Sequence, residues 1–517
     1  MATKIFTGDM PELMENILNN LNEEINSIYS CALVSRHWCN MSIPILWRDP
    51  FTLARDSIFI SRYFSSLSED DRIILDEYGI DIEFPCTLFN YSRFLKVFDS
   101  SSLDVRIQES IPKLINNLPT DIDLKDLKEH VANLLFKIFI ESSATLSKLA
   151  LDMSDEIVDI KPEIFYSLGQ NMLFFSRLQD LSVIVESESC IKNAIALFKI
   201  LADNATKINS LTFHTYIYEP LLCRTFASVI KSQEQLGRFN LIGGTSFEPR
   251  SCCIMSALEC QKKALREIKI ECCAYGEEFE VLMNCENLEV IRIFHYKEEV
   301  KLLKILSTNL SKISTLEILS YSIDASNLIP ILENSGPLLQ RLRLYSEKRE
   351  IRSLPLLIET LISFCPNITY LYISSIKFSS KFLDLIGSLQ KLLYLTLQWI
   401  DDGTEEKMKS WITQLAEILP SSLQYFNLGD FWINSHIDIF LDHCNAPLKR
   451  LLFGVDYDYD KTIEALIKFC KRKKTLNYAY IHCNTNIDVL KWDKVKKDLE
   501  EYVKLVPYPI GHVYVDC

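Results

Sequence analysis

The chain has 517 residues, of which 48% are hydrophobic and 24% are charged, and its formal net charge is −14. This composition is typical of a folded protein with a large core, whereas the surplus of acidic residues argues against nucleic acid as a partner. No apolar run approaches the roughly 18 residues of a membrane span, and the first residues lack the apolar stretch of a secretion signal, so we expect no membrane partner and a cytoplasmic and/or nuclear location.

Residues 1–50 are predicted to be a first domain that contains three short helices. Asp9 and Glu12 have the spacing of a capping box at a helix start. Apolar residues from Leu13 to Leu21 then recur at helical spacing, a second helix follows, and Ser35 is placed to cap a third. A unit of about 40 residues is too small to bury this much Leu, Ile and Trp on its own. We therefore expect a partner protein to cover part of its apolar surface.

Residues 51–140 are predicted to be a helical linker that also caps one end of a repeat array. Ser68, followed by three acidic residues, has the form of a helix start, and residues 124–140 have the apolar pattern of a buried helix. Stacked repeats expose core at both ends unless these are capped. Residues 485–517 are accordingly predicted to cap the other end, with a charged helix near 492–504 and an extended tail.

Residues 141–484 contain about thirteen repeats of a pattern with apolar residues at its first, fourth and sixth positions. The repeats begin at Leu146, Leu178, Ile208, Leu236, Leu265, Leu288, Ile313, Leu339, Ile368, Leu392, Leu423, Leu448 and Leu476. Adjacent repeats start 23 to 32 residues apart, close to the period of about 20–29 residues that leucine-rich repeats have. The alternating part predicts a short strand.

Helical spacing of apolar residues between these strands, as in residues 354–365, predicts a helix in each repeat. Each strand–helix unit is too small to bury its apolar side alone, so stacking is needed to form a continuous core. The predicted fold is therefore α/β: a three-helix front domain followed by a leucine-rich-repeat solenoid. Its curved parallel sheet is expected on the concave side, with the helices outside.

The front segment resembles an F-box. The residues that carry the resemblance are Met10-Pro11-Glu12-Leu13, Ile17-Leu18, Leu33-Val34-Ser35-Arg36-His37-Trp38 and Pro44-Ile45-Leu46-Trp47. The match departs from the family pattern at Met10, where leucine is commoner. Together with the repeats, the chain resembles fungal F-box proteins with C-terminal leucine-rich repeats.

The resemblance implies that the front domain binds a Skp-type adaptor, which links it to a cullin–RING ubiquitin ligase. The residues implied to lie at or under the adaptor face are Pro11, Leu13, Ile17, Leu18, Leu33, Val34, Trp38, Leu46 and Trp47. An alternative is that several of them only hold the three helices together, with Pro11, Leu13 and Ile17 favoured as contacts. The repeats would then hold a protein substrate.

The third, fifth and seventh positions of each repeat are expected to face solvent on the sheet. In the later repeats they carry Arg341, Arg343, Tyr345, Tyr370, Tyr372, Tyr394, Tyr425 and Arg450. Tyrosine and arginine are enriched at binding hot spots, so these residues are predicted to bind substrate. The alternative is that the tyrosines only pack against one another along the sheet.

No catalytic constellation or metal-ligand spacing is recognisable, and the 16 cysteines are not arranged in C-x-x-C pairs. The chain is therefore predicted not to be an enzyme and to need no cofactor or metal. The predicted function is that of a substrate-recognition subunit in a Skp–cullin–F-box ubiquitin ligase. A non-catalytic leucine-rich-repeat scaffold or binding protein without a ubiquitin-ligase link is the alternative.

Overall fold

The computed structural model describes residues 11–21, 24–53, 57–80, 87–115, 123–155, 157, 160–161, 163–164, 173–244, 252–273, 276–295, 299–307, 311–347, 350–399, 404–428, 436–455, 459–483 and 499–507. The chain divides into two compact units, one of Met1–Leu265 with Gly276–Val281 and the other of Arg266–Tyr275 with Leu282–Cys517. Both units are α/β repeat structures with parallel strands in chain order, as the sequence predicts.

Three helices open the described part of the first unit: α1 (Pro11–Asn20), α2 (Ile25–Ala32) and α3 (Arg36–Leu46). Ser35 caps α3 as predicted, because its hydroxyl oxygen accepts a hydrogen bond from the amide of Trp38 at 3.3 Å. The core between the helices consists of the buried side chains Met14, Leu18, Ile28 and Ile45. Asp9, the predicted cap of α1, lies outside the described residues.

In the residues that the structure describes, the predicted linker is helical with one exception. Its helices are α4 (Pro50–Leu53), α5 (Ser61–Phe64), α6 (Glu69–Glu77), α7 (Ser100–Leu114) and α8 (Leu124–Glu141). Ser68 caps α6 by accepting the amide of Asp71 at 3.2 Å, and α8 is buried along most of its length. The exception is the strand β1 (Val97–Asp99), which pairs with the strand of the first predicted repeat. The sheet thus begins inside the segment 51–140.

The repeats of the first unit form a parallel sheet with β1. Its further strands are β2 (Lys148–Met153), β3 (Asp180–Val185), β4 (Ser210–Thr215) and β5 (Arg238–Ile242). The helices α9 (Ile191–Asn204) and α10 (Pro220–Lys231) lie between these strands, and α11 (Cys252–Ala257) follows β5. Phe213 of β4 is buried against Phe198 of α9 and Phe226 of α10, at ring distances of 5.8 and 4.2 Å. The helices therefore pack on the sheet face that carries the fourth and sixth repeat positions.

The second unit continues the same architecture. Its described strands are β6 (Glu267–Glu271), β7 (Val290–Phe294), β8 (Thr315–Ser320), β9 (Arg341–Ser346), β10 (Tyr370–Ile376), β11 (Tyr394–Trp399), β12 (Tyr425–Asn427), β13 (Arg450–Val455), β14 (Tyr478–Cys483) and β15 (Lys504–Pro507). Its helices are α12 (Glu299–Leu306), α13 (Ile329–Ser335), α14 (Leu354–Phe364), α15 (Ser380–Ser388), α16 (Glu405–Ile418), α17 (Ile437–His443) and α18 (Tyr459–Lys473).

Short 3-10 helices supplement these elements in both units. They span Ser57–Ile60, Tyr91–Phe94, Glu188–Cys190, Leu258–Gln261, Glu277–Asn284, Ala325–Asn327 and Gly336–Leu338. In the described part of the chain, no helix is both long and apolar enough to cross a membrane. Within the same ranges, no group of three or more His, Cys, Asp or Glu side chains could hold a metal ion.

All thirteen predicted repeats contain a strand, which confirms the interpretation of the pattern. In each repeat the strand begins at the third position, two residues after the first apolar residue, and that residue is buried in every case. A backbone pattern joins successive repeats: the carbonyl oxygen at the second position accepts the amides of the second and third positions of the next repeat. The Gln340 carbonyl, for example, accepts from Thr369 at 2.8 Å and Tyr370 at 3.0 Å.

Two strands were not predicted, because each lacks an apolar residue at one position of the pattern. In the register of β1, Leu95 and Phe98 occupy the first and fourth positions, but Ser100 stands at the sixth. In β15 the sixth position is Pro507. The predicted helix near 492–504 is wrong at its end, since Lys504 begins this strand. Residues 484–498 lie outside the described residues. The sheet thus extends beyond the predicted limits 141–484.

Candidate functional site

Helix α1 presents one buried and one exposed apolar stripe. Met14 and Leu18 are fully buried in the core of the front helices. Leu13 and Ile17, which lie one position earlier at the same spacing, are 43% and 42% exposed. Residues four apart lie one above the other on a helix, so Leu13 and Ile17 form a stripe adjacent to the one that fills the core. This second stripe is not needed to pack the three helices.

The same arrangement occurs at the end of α2. Ile28 is buried, whereas its neighbour Tyr29 is exposed. Leu33, four residues after Tyr29, is also exposed, and so is Val34. Leu33 is 73% and Val34 is 64% exposed. Their amides donate to the carbonyls of Ser30 and Cys31 at 3.2 and 3.1 Å, so the backbone of this turn is fixed while both side chains stay in solvent. Tyr29 was missed in the sequence, although its spacing to Leu33 matches that of Leu13 to Ile17.

We call Leu13, Ile17, Leu33 and Val34 the front apolar set. The other residues that the F-box resemblance implied lie elsewhere. Leu18 is inside the core, and Trp38 and Leu46 are partly buried against it. Trp47 stacks on Tyr91 at a ring distance of 4.0 Å and meets Tyr63 edge-on at 5.4 Å. The position of the Pro11 side chain is outside what the structure describes. The structure therefore separates four exposed side chains from four that pack internally.

The segment that contains Arg48 and Phe51 connects the front helices to the sheet of the first unit, and we call it the joint. The carbonyl oxygen of Arg48 accepts the amides of Lys96 and Val97 at 2.8 and 2.9 Å, which is the bond pattern that joins one repeat to the next. Phe51 is buried and packs against four rings, those of Phe59, Tyr63, Phe98 and Phe139, at centroid distances of 5.9 to 6.4 Å. The segment after α3 thus occupies the place of a preceding repeat.

The second candidate surface is a row of third-position residues across the second unit. In strand order the row consists of Glu267, Val290, Thr315, Arg341, Tyr370, Tyr394, Tyr425, Arg450, Tyr478 and Lys504. The Tyr394 ring lies 6.1 Å from that of Tyr370 and 5.7 Å from that of Tyr425. We call this row the tyrosine ladder. Sequence spacing predicted Arg341, Tyr370, Tyr394, Tyr425 and Arg450 as surface residues, and the parallel register brings them together in this row.

Charges at one end of the ladder are paired. Glu317 of β8, at a fifth position, is almost fully buried and accepts Arg341 at 2.5 Å, with Arg292 at 3.5 Å on its other side. Arg292 also pairs with Glu267. The Arg341 guanidinium lies 3.8 Å from the centre of the Tyr370 ring, a cation–π contact. Arg341 is therefore held between a carboxylate and an aromatic face.

The expectation that all eight predicted substrate-binding residues face open solvent is wrong for three of them. Arg343, Tyr372 and Tyr425 are buried. Neighbours along the sheet cover them: the Arg343 guanidinium lies 5.0 Å from the Tyr372 ring, and the Tyr345 ring lies 6.2 Å from it. Tyr345, Tyr370 and Tyr394 are half-buried and Arg450 is exposed. The alternative interpretation, that these side chains pack against one another along the sheet, therefore applies to part of the surface.

Arg341 and Arg450 are too far apart to bind one phosphate group together. Arg341 and Arg450 lie four strands apart in the ladder, which at about 4.8 Å per strand is roughly 19 Å. Residues 471–474 form a basic run, Lys-Arg-Lys-Lys, and one of its side chains has a structural role. Arg472 donates to the carbonyls of Leu441 at 2.5 Å and Cys444 at 3.1 Å, at the C-terminal end of α17, where a positive charge is favoured.

The cysteine thiols near the helix ends behave as core residues. Burial raises the pKa of Cys365 to about 12, and it raises the pKa values of Cys444 and Cys470 to about 11. A thiol with so high a pKa is protonated at neutral pH and is a poor nucleophile. These three cysteines therefore fill space beside the repeats, as small apolar side chains do.

No protein-family model and no curated protein sequence matches the chain. Among solved structures, it is similar to one described as the crystal structure of the Rad7 and Elc1 complex in yeast, with 11% identity, a TM-score of 0.36, and coverage of 79% of this chain and 92% of that chain. A likeness at this level carries no argument about family or partner. The α/β repeat fold is established by the strands and helices described above.

Proposed function

We propose that the chain is the substrate-recognition subunit of a Skp–cullin–F-box ubiquitin ligase. The front apolar set would bind the Skp-type adaptor, and the tyrosine ladder would bind a protein substrate. The observation that carries the proposal is the paired stripe on α1. One apolar stripe fills the core of the front helices, and the second, Leu13 with Ile17, stays exposed.

Energetics support a partner for this surface. Fully burying one Leu, Ile or Val side chain contributes roughly 1.5–3 kcal/mol, so covering these four exposed side chains contributes several kcal/mol to the stability of a complex. The backbone bonds at Leu33 and Val34 hold the turn in place before binding. A surface that is already ordered loses little conformational entropy when a partner covers it.

The ladder supports substrate binding by a different property. Its tyrosine rings offer contact area at a low entropic cost, and the contacts with Arg341 and with one another hold the rings in register. The half-buried rings of Tyr370 and Tyr394 remain available to a partner. In this function the chain performs no chemistry. It raises the effective concentration of a substrate near a ubiquitin-charged enzyme.

Adaptor binding is the first test. We expect the purified full chain to form a one-to-one complex with a purified Skp-type adaptor that co-elutes in size-exclusion chromatography, with a dissociation constant in the submicromolar range. A chain that stays monomeric at micromolar concentrations of both proteins would contradict the ligase assignment. That result would favour the alternative of a repeat scaffold whose front helices bind a different partner.

A substrate test uses the ladder. Proteins that proximity labelling detects near the chain only when the proteasome is inhibited are candidate substrates. Replacing Tyr370, Tyr394 and Tyr425 together by Ala is expected to abolish the labelling of these proteins. The matched Tyr→Phe triple variant keeps the rings and is expected to retain the labelling of most of these proteins. If the Ala variant loses thermal stability but keeps the same labelled proteins, the rings only pack, and the ladder is not the substrate site.

A further inference from the structure

A cleft of about 950 Å³ lies on the first unit, where strands β1 to β5 begin. Five basic residues line it, namely Arg48, Lys96, Lys148, Lys207 and Arg238. The lining has two acidic residues, Asp49 and Asp180. In the chain as a whole, acidic residues outnumber basic ones by 69 to 55. The cleft therefore reverses the charge balance of the rest of the chain.

Stacking of the repeats brings these basic residues together from five separate segments. Lys148 of β2 stands in the register between Val97 and Asp180. Arg238 of β5 occupies the same row three strands further on, next to Ser210. Lys148, Lys207 and Arg238 are exposed. Among the described residues, none of these three forms an ion pair with an acidic side chain. Their charges are consequently available to a ligand.

Two further polar side chains of the cleft, those of Asp49 and Lys96, already form hydrogen bonds. Asp49 accepts the amide of Thr52 at 3.3 Å, and the Lys96 amine donates to the Thr145 hydroxyl at 2.6 Å. Burial, and then the positive charge of Arg177, lower the pKa of the Lys96 amine. A bound anion would offset the smaller of these two causes, the repulsion between Lys96 and Arg177.

The basic residues of the cleft are spread over a length that indicates which kind of anion can contact several of them. Strands lie about 4.8 Å apart, so residues spread over β1 to β5 span about 20 Å. One phosphate group can contact only one or two of them. An extended peptide of about six residues has the same length, at roughly 3.3 Å per residue. A long polyanion such as nucleic acid would extend beyond the cleft over a chain whose net charge is −14, which opposes its binding.

We propose that this cleft binds an extended, carboxylate-rich segment of a partner protein through Lys148, Lys207 and Arg238. The strand amides at its base are already bonded to the neighbouring repeat, so the side-chain cations supply the recognition. This site shares no residue with the front apolar set or with the tyrosine ladder. Its occupation does not depend on whether an adaptor binds the front helices.

The test uses the full chain and a fluorescein-labelled poly-glutamate peptide, followed by fluorescence anisotropy. The variant Lys148→Glu with Arg238→Glu is expected to bind the peptide at least about tenfold more weakly than the native chain, and binding by the native chain should weaken as salt is added. The matched control, Lys192→Glu with Lys199→Glu on α9, makes the same change in net charge at exposed positions outside the cleft and should bind like the native chain. Lys207→Glu, in a loop, is a second variant if the double one does not fold.

Three outcomes would overturn the proposal. The first is no saturable binding of the peptide by the native chain. The second is an equal loss of binding in the α9 control, which would mean that net charge alone attracts the peptide. The third is tighter binding of a single-stranded oligonucleotide or of inorganic phosphate than of poly-glutamate at equal ionic strength. Because the readout involves no adaptor, failure here leaves the ligase proposal standing, and failure of adaptor binding leaves this one standing.

Discussion

Replacing Leu13 and Ile17 together by Asp is expected to weaken adaptor binding by about 100-fold or more, the loss typical of truncating hot-spot residues. Both side chains are half-exposed and lie outside the core of the front helices, so the helices should remain folded. In a complex, two carboxylates would have to leave water without a counter-charge, which is costly. Isothermal titration calorimetry with the purified adaptor measures the loss, and circular dichroism checks the fold.

The control for this variant places the same two charges elsewhere on α1. Asn16→Asp with Asn19→Asp adds the same negative charge on a different side of the helix and should bind the adaptor within a few-fold of the native chain. Equal losses in the two variants would show that charge or helix damage, rather than the apolar stripe, explains the effect. Unchanged binding by the Leu13 and Ile17 variant would refute the assignment of this stripe as the adaptor contact.

The second large effect is expected at the joint, where Phe51→Ala should lower the free energy of unfolding of the first unit by about 3–5 kcal/mol, as removal of a buried ring does. Phe51 contacts rings from the linker, from β1 and from α8. The amides of Lys96 and Val97, which bond to the Arg48 carbonyl, should exchange faster with deuterium in this variant. Hydrogen exchange measured by mass spectrometry reports both amides.

Phe51→Leu serves as the comparison for the joint, because it keeps an apolar side chain of similar length and should lose much less stability. Amide exchange at Lys96 and Val97 that is unaffected by Phe51→Ala would mean that the ring cluster does not hold the front helices to the sheet. A uniform increase in exchange throughout the unit would instead indicate global unfolding without a local role for the joint.

The sequence predicted the strands well because their signal is local. Each repeat needs one buried residue before the strand and two within it. The residue before the strand is the first-position residue, and it is buried in all thirteen predicted repeats. Where one position of the pattern is filled by Ser100 or Pro507, the strand forms nonetheless, since pairing with a neighbour compensates for a weak pattern. Tertiary context overrides local preference at such edges.

Site residues were harder to assign, because exposure depends on which neighbours are packed alongside. The F-box resemblance grouped Leu18 and Trp47 with Leu13 and Ile17, yet helical geometry buries Leu18 and the linker rings cover Trp47. The basic cleft could not be predicted at all. Its cations come from distant segments such as Lys96 and Arg238, and only the strand register places them on one surface.

The carbonyl of Arg48 has a consequence for any shortened version of this protein. In strand order β1 is the outermost strand of the first unit, and the two amides that Arg48 accepts, those of Lys96 and Val97, stand at its outer side. Removing residues 1–50, which include Arg48, would leave these donors without an acceptor, and a sheet edge with unpaired donors is a template for pairing with another chain. The N-terminal segment therefore also protects the protein against aggregation, and repeats purified without it should self-associate.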